Sequence, residues 1–381
     1  MLSADPSLNA GLFQVSLTTT SLVRISGFYF DLGTFTSYDR YGVAISGNIT
    51  QIRVDHNKFN RGKAQILIDG AVKGVLDQNC FYNSNISTSL LGGAAAAQGN
   101  QSWADPIVAG MDMGLNTLYV EDNTFTRDQT LACGSINLNC HIESGHGGRF
   151  VIRHNTFTGT WCYNECILAQ GDCYADAAIM THGNGNYYNG STDLRGHPIV
   201  EVYNNTINMV RVTGYALTFR GGSVLAHNNA ITVGMYPQYT YLSLIEEETW
   251  SSTVFSPLRT AWPAEDQIFN SFFWNNTVNG NPIELTTDSA TFHVQDRDYF
   301  LHAPAATGGK ETFTGRAGAS NTAPTEGSPS TMQFSSSGAN AYYPYTPFTY
   351  PHPLRAGDNI LPGGITLGAG GAGSTLVLGG N

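Results

Sequence analysis

The sequence predicts an all-β chain wound as a right-handed parallel β-helix, a solenoid with long loop excursions and an extended Pro/aromatic strap near its C-terminal end. Three features predict it: a short phrase that returns along most of the chain, period-two alternation in front of each copy, and a composition rich in turn residues and poor in charge. The phrase is an Asn, one further residue, then an apolar one. Its copies DHNKF, DQNCF, DNTF, HNTF, NNTI, NNAI and NNTV are anchored on Asn57, Asn79, Asn123, Asn155, Asn205, Asn229 and Asn276. Successive anchors lie 22, 44, 32, 50, 24 and 47 residues apart; the shortest gaps match one coil, and the longer ones hold two coils or one coil with an insertion. ISGFYF is a degenerate further copy, with Phe30 in the place of Phe59.

Each anchor follows an alternating segment, such as ITQIRVDHN, NTLYVEDN, GRFVIRHN or PIVEVYNN, the pattern of a strand with one buried face. The unit is therefore strand, Asn turn, short strand. Asn tolerates left-handed backbone angles and its carboxamide bonds backbone groups, so stacked coils are expected to place Asn on Asn in a hydrogen-bonded ladder. Ile52, Val54, Phe59, Leu76, Phe81, Val120, Phe125, Val151, Phe157, Val202 and Ile207 are expected to stack inside as one core. Arg153 and Glu201 fall at matching strand positions and predict an inter-coil ion pair. His56, His154 and His227 precede turn asparagines and read as solvent-side turn residues.

Only 12% of the residues are charged, Gly numbers 43 and aromatics reach 11%, which describes a turn-rich, neutral-polar surface of Asn, Ser, Thr and Gly. The net charge of −11 argues against a nucleic-acid or anionic-membrane surface. Such a surface suits neutral sugars: amides and hydroxyls pair with sugar hydroxyls, and Tyr and Trp faces stack on pyranose rings. No apolar run is long enough for a membrane helix. The opening MLSADPSLNAGLF reads as the middle of a domain, so an export signal and one or two further coils are expected upstream.

Of six cysteines, Cys133, Cys140, Cys162, Cys166 and Cys173 fall within 41 positions and read as loop-stapling disulfides of an oxidising compartment. A zinc site built on Cys162, Cys166, Cys173 and His182 lacks a second tight Cys pair. Cys80 sits in a core-like position and is expected to be an inert buried thiol.

Residues 1–300 are assigned to the β-helix, 301–341 to a Gly/Ser/Thr-rich surface coil, and 342–381 to the Pro/aromatic strap and a Gly-rich tail packed on the helix. The tail is read as mobile or as engaging a neighbour. Excursions are placed at 84–115, at about 160–196 and at about 236–269, where they could wall a groove.

With these repeats in hand, the chain resembles the secreted bacterial right-handed parallel β-helix repeat proteins of the pectin-lyase-like superfamily, over roughly residues 12 to 355. The specific stretches are GGRFVIRHNTFTG, IVEVYNNTI with FRGGSVLAHNNAI, and PFTYPHPL. The resemblance implies the fold and export. That superfamily holds pectate lyases, polygalacturonases, alginate lyases and phage tailspikes, together with binding and structural proteins. IRVDHNKF looks like the pectate lyase phrase containing an Asp-His pair, here Asp55 and His56, but RGHPIVE around Arg195 does not supply the accompanying Arg-x-Pro-x-x-Arg. Gly145-His146-Gly147 is similar to the polygalacturonase Gly-His-Gly, without its acidic and Arg-Ile-Lys companions.

A lyase needs a base beside a uronate carboxylate and a cation to stabilise the enolate, whereas a hydrolase needs two facing carboxyls. Glu143, His146, Arg149, His182, Arg195 and Arg220 lie at or near strand ends of consecutive coils and are the catalytic candidates, His182 and Arg220 foremost because each ends an apolar strand before a Gly-rich loop. Trp103, Tyr187, Tyr188, Trp250 and Trp262 lie in the excursions and are the sugar-stacking candidates. Glu246, Glu247 and Glu248 are a candidate Ca2+ site, against the plainer reading of a solvated face. Two functions stay open: a polysaccharide lyase or glycoside hydrolase working in a groove along the solenoid, and a non-catalytic glycan-binding or self-assembling surface, fibre or spike protein. The second draws on an expected bare coil end whose strand edges would invite a homo-oligomer or filament.

Overall fold

The computed structural model describes residues 2–3, 12–32, 41–88, 115, 117–127, 140–144, 150–160, 177–181, 200–211, 216–220, 224–233, 243–246, 268, 271–283, 285–287, 293–296, 298–303, 312–316, 329–333, 347–356, 364–367 and 375–378. They form a right-handed parallel β-helix whose strands fall into three hydrogen-bonded walls. Wall A precedes the Asn turn: Val23–Ser26, 52–55, 74–77, Leu118–Glu121, Phe150–Arg153, Val200–Tyr203, Val224–His227, Ser271–Trp274 and Tyr299–Phe300. Wall B follows it: Tyr29–Asp31, 58–60, 80–82, Thr124–Arg127, Thr156–Thr160, Thr206–Arg211, Ala230–Val233 and Thr277–Val278. Wall C leads back to wall A: Phe13–Thr19, 43–49, 66–72, 86–88, Cys140–Ser144, Ala177–Thr181, Leu217–Arg220, Ser243–Glu246 and Leu285–Thr287.

The corner between walls A and B is the repeating device. From Asn57 to Asn229, the backbone N–H and the Nδ2 of each anchor Asn both donate to the Oδ1 of the next, at 2.8–3.1 Å. The same Nδ2 also donates backwards to a wall A carbonyl of the preceding coil, as Asn123 does to Leu76 and Asn155 to Val120. Because Asn79 bonds Asn123 directly and Asn155 bonds Asn205 directly, even the gaps of 44 and 50 residues are single coils with insertions. The left-handed backbone falls on the residue before each anchor, with φ of 53–56° at His56, Gln78, Asp122, His154, Asn204, Asn228 and Asn275. In the first coil Gly27 (φ 78°) takes that place, and Phe28 stands where the anchor would be.

Inside, Phe30, Phe59, Phe81, Phe125 and Phe157 stack in one file at 4.6–4.9 Å between ring centres, flanked by files of Ile, Val and Leu. Val151 is an exception to the expected core: it faces outward on wall A, where Val75, Tyr119, Val151, Tyr203, Leu225, Phe272 and Phe300 form a second apolar layer. Wall A is thus buried on both faces, as parallel strands usually are. The strap at 347–356 covers this layer with Phe348 and Leu354.

Three further expectations change. Cys80 is exposed on wall B, because the residue after each Asn points outward while the next one, Phe81, points in. The surface-coil segment contains an antiparallel pair, Thr312–Arg316 with Pro329–Gln333. The Gly-rich tail is also paired: Gly364–Leu367 runs antiparallel to Val23–Ser26 and Thr375–Leu378 to 13–16, while Leu2–Ser3 pairs with 30–31. The edges of the first coil on all three walls are therefore occupied, and the bare end expected from the sequence is not present there.

Asn123→Ala removes a buried carboxamide that joins three coils, and should lower stability by about 2–4 kcal/mol in chemical denaturation, the cost of leaving buried N–H donors unmet. Cys80 should react with a water-soluble thiol reagent in the native protein, and Cys80→Ser should remove that labelled site from the peptide map.

Candidate functional site

Among the described residues, functional groups concentrate on the outer face of wall A and at the C-terminal mouth of the solenoid.

On wall A the last strand position runs Ser26, Asp55, Asp77, Glu121, Arg153, Tyr203, His227 and Trp274 in one vertical row. Asp55 is gripped by Arg24 at 2.8 and 2.6 Å and by His56 Nδ1 at 2.7 Å; Asp77 takes both arms of Arg53 at 3.0 and 2.9 Å. Glu121 pairs with Arg153 at 2.6 Å and with Arg355 of the strap at 2.9 Å, and accepts the His352 N–H at 2.9 Å. Arg153 in turn donates to Tyr203 Oη and to the carbonyls of Phe348 and Thr349, with its guanidinium over the Tyr119 and Tyr350 rings. Tyr350 and Arg355 both bind Asp122. Beyond the strap, Tyr203, His227 and Trp274 stack at 4.7 and 4.2 Å.

Electrostatics follow from this packing. Burial pushes the Glu121 carboxyl up, but Arg153, Arg355 and the His352 N–H outweigh it and hold the group below the usual carboxylate range. The same balance, with Arg24, His56 and Arg53, holds Asp55 down. Burial pushes Asp77 up to about 6. It holds His352 down to about 4 and His227 and His141 to about 3, so all three are neutral rings at pH 7. The carboxylates of this row pair with arginines of the row and of the strap, which makes the row a clamp for the strap.

Sequence reasoning missed this clamp, though a signal was present: aligning the copies puts an acidic residue two places before Asn57, Asn79 and Asn123. Two expectations are corrected here. Arg153 stands opposite Tyr203, and Glu201 opposite Val151, so the Arg153 ion pair is with Glu121 of the preceding coil. His227 is buried within an aromatic stack because it is the last strand residue, one place earlier than His56 and His154, which occupy the half-buried left-handed positions.

The candidates chosen from the sequence gather elsewhere. Glu143 and Arg220 lie on wall C strands: Glu143 stands opposite Ser87 and Met180, and Arg220 opposite Glu246. Trp103, His146, Arg149, His182, Tyr187, Tyr188, Arg195, Trp250 and Trp262 lie outside the described residues. In chain order each of them falls after a wall C strand and before the next wall A strand, within 89–117, 145–149, 182–199 and 247–270. The A-to-B turns are two residues long, with the Asn anchor from Asn57 to Asn276, so in chain order the long segments fall between walls B and C or between walls C and A. Cys133, Cys162, Cys166 and Cys173 lie outside the described residues, in sequence between wall B and wall C strands, and Cys140 opens a wall C strand. Among the described residues there is no disulfide, and no group of three or more His, Cys, Asp or Glu is placed to hold a metal ion. The Ca2+ candidates Glu247 and Glu248 lie outside the described residues, and Glu246 is placed by its backbone alone.

At the C-terminal mouth a cavity of about 450 Å³ opens among Phe273, Trp274, Asn276, Pro282, Ile283 and Leu285. A hairpin closes wall B here, with strand 281–282 antiparallel to 277–278 around the left-handed pair Asn279 and Gly280.

No protein-family model, curated protein or solved structure matches this chain. No helix of the described residues is long and apolar enough to cross a membrane.

The buried rings set a pH response. His352, His227 and His141 each bind a proton on unfolding between their depressed folded values and the ordinary value near 6.5, so the unfolded chain binds more protons and stability falls on acidification through that window. Asp77, raised to about 6, acts in the opposite sense between about 4 and 6. The net uptake of about two protons on unfolding should make stability fall by about 2–3 kcal/mol per pH unit near pH 5. Denaturant titrations from pH 4.5 to 7.5 would measure the slope, which His227→Gln should reduce by about one proton.

Proposed function

We propose that the protein is an extracellular carbohydrate-active β-helix of pectin-lyase-like type, binding polysaccharide along the corner between walls C and A and cleaving it there by β-elimination. The observation that supports this reading is the order of the chain: Glu143 and Arg220 lie on wall C strands, and the other candidates fall in sequence between a wall C strand and the wall A strand that follows it. Trp103, Tyr187, Tyr188, Trp250 and Trp262 would supply stacking faces for pyranose rings. At the same corner, His182 would serve as the base and Arg220 as the cation that stabilises an enolate, with Glu143, His146, Arg149 and Arg195 as further polar groups.

Two facts favour this corner over the other faces. The outer face of wall A from Arg53 to Arg153 is taken by the strap and its ion pairs, and the A-to-B corner carries the ladder. A low charge content and a surface of amides and hydroxyls suit sugars, and the occupied edges of the first coil argue against filament growth from that end.

Purified protein incubated with pectin, alginate and neutral glycans should release unsaturated uronates, read by their ultraviolet absorbance. His182→Ala and Arg220→Ala should each lower the rate by about 10²-fold or more, the usual loss on removing an acid–base group or a charge-stabilising donor. Binding without product on every uronate polymer would leave a lectin-like protein and sink the elimination chemistry. Absence of binding to any glycan would sink the reading altogether.

A further inference from the structure

The asparagine ladder has two unlike ends. At each internal rung, the N–H and Nδ2 of one Asn converge on a single carboxamide oxygen of the next, and the ladder ends at Asn276. The Oδ1 of Asn276 accepts from Asn229, one hydrogen of its Nδ2 goes to the Ala226 carbonyl at 2.8 Å, and its own carbonyl accepts the Ile283 N–H at 3.1 Å. Ile283 occupies the backbone place that a following coil would fill, but it brings no carboxamide. Among the described residues the N–H of Asn276 and the second Nδ2 hydrogen therefore have no acceptor, and Asn276 lines the 450 Å³ cavity.

We propose that this open rung is a binding site for the acetamido group of an N-acetylhexosamine. The donor pair is built to the geometry of a neutral carboxamide oxygen, since its six internal copies hold one at 2.8–3.1 Å. An acetamido carbonyl is that same acceptor, and its methyl group would rest on Pro282, Ile283 and Leu285. Trp274, half-buried and stacked on His227, forms an aromatic wall for the sugar ring. The described lining carries no charge and the chain is acidic, which disfavours a carboxylate or phosphate in the same place. The cavity volume falls within the range of small-molecule sites.

A second copy of the chain is the competing occupant, and the other end of the ladder speaks against it. To continue the ladder, a neighbour would have to offer a carboxamide oxygen from its first coil. That position is Phe28, which has none, and the adjoining strand edges are already paired.

The test uses the full chain, 15N-labelled, titrated with N-acetylglucosamine and, in parallel, with glucose and glucuronate. The Asn276 backbone and side-chain amide signals should shift with N-acetylglucosamine and stay still with the other two, and binding should be at least about tenfold weaker in Asn276→Asp. Leu285→Trp, which fills the cavity while leaving Asn276 in place, should abolish the shift in a folded protein. Equal responses to glucose and N-acetylglucosamine, undiminished binding in both variants, or concentration-dependent shifts without sugar that mark self-association would each overturn the proposal. Because the wall C corner is tested by polymer cleavage and this site by a monosaccharide, either can fail while the other stands.

Discussion

The structure depends on one hydrogen-bonded unit, a carboxamide that bonds three coils at once. From Asn79 to Asn229, each anchor donates backwards to a wall A carbonyl, donates forwards to the next Asn with two N–H groups, and accepts the same pair from behind. In a buried corner such groups are costly to leave unmet, so a shifted register would strand several of them together. The ladder thereby fixes which residues lie over which, and the phenylalanine file and the polar row on wall A inherit their alignment from it.

That alignment explains the division of labour among the walls. Wall A puts Asp55, Asp77, Glu121 and Arg153 in one file, an arrangement that would be repulsive without arginines between and beside the carboxylates. The strap completes the set by delivering Arg355 and the His352 N–H from more than two hundred residues away in sequence. Its carbonyls accept from the Arg53 and Arg153 guanidinium groups, so the strap supplies acceptors that the row's buried arginines need. The long segments of the chain fall between walls B and C or between walls C and A, and never at the A-to-B turn, where an insertion would break the ladder.

Much of this was legible in the residues. The Asn-x-apolar phrase identified the turn, the inward phenylalanines and the coil, because a repeat that buries a residue must put the same kind of residue in the same place. Placing Arg153 opposite Glu201 failed for a local reason: alternation tells which face a residue occupies, but the opposing residue depends on where each strand ends relative to its Asn. Cys80 was misjudged in the same manner, being one place from the buried Phe81. The clamp went unread because its halves, Glu121 and Arg355, are distant in sequence and neither forms a motif alone.

By itself the sequence determined the solenoid, its repeat unit and the inward stack, since these rest on short-range periodicity and on what Asn and Phe do when copied coil after coil. Tertiary structure alone decided that every long gap is a single coil, that the tail returns to cover the first one, and that the last rung stays open. Those outcomes turn on which backbone edges find partners across hundreds of residues, and hydrogen bonding at that range leaves no periodic trace in the chain.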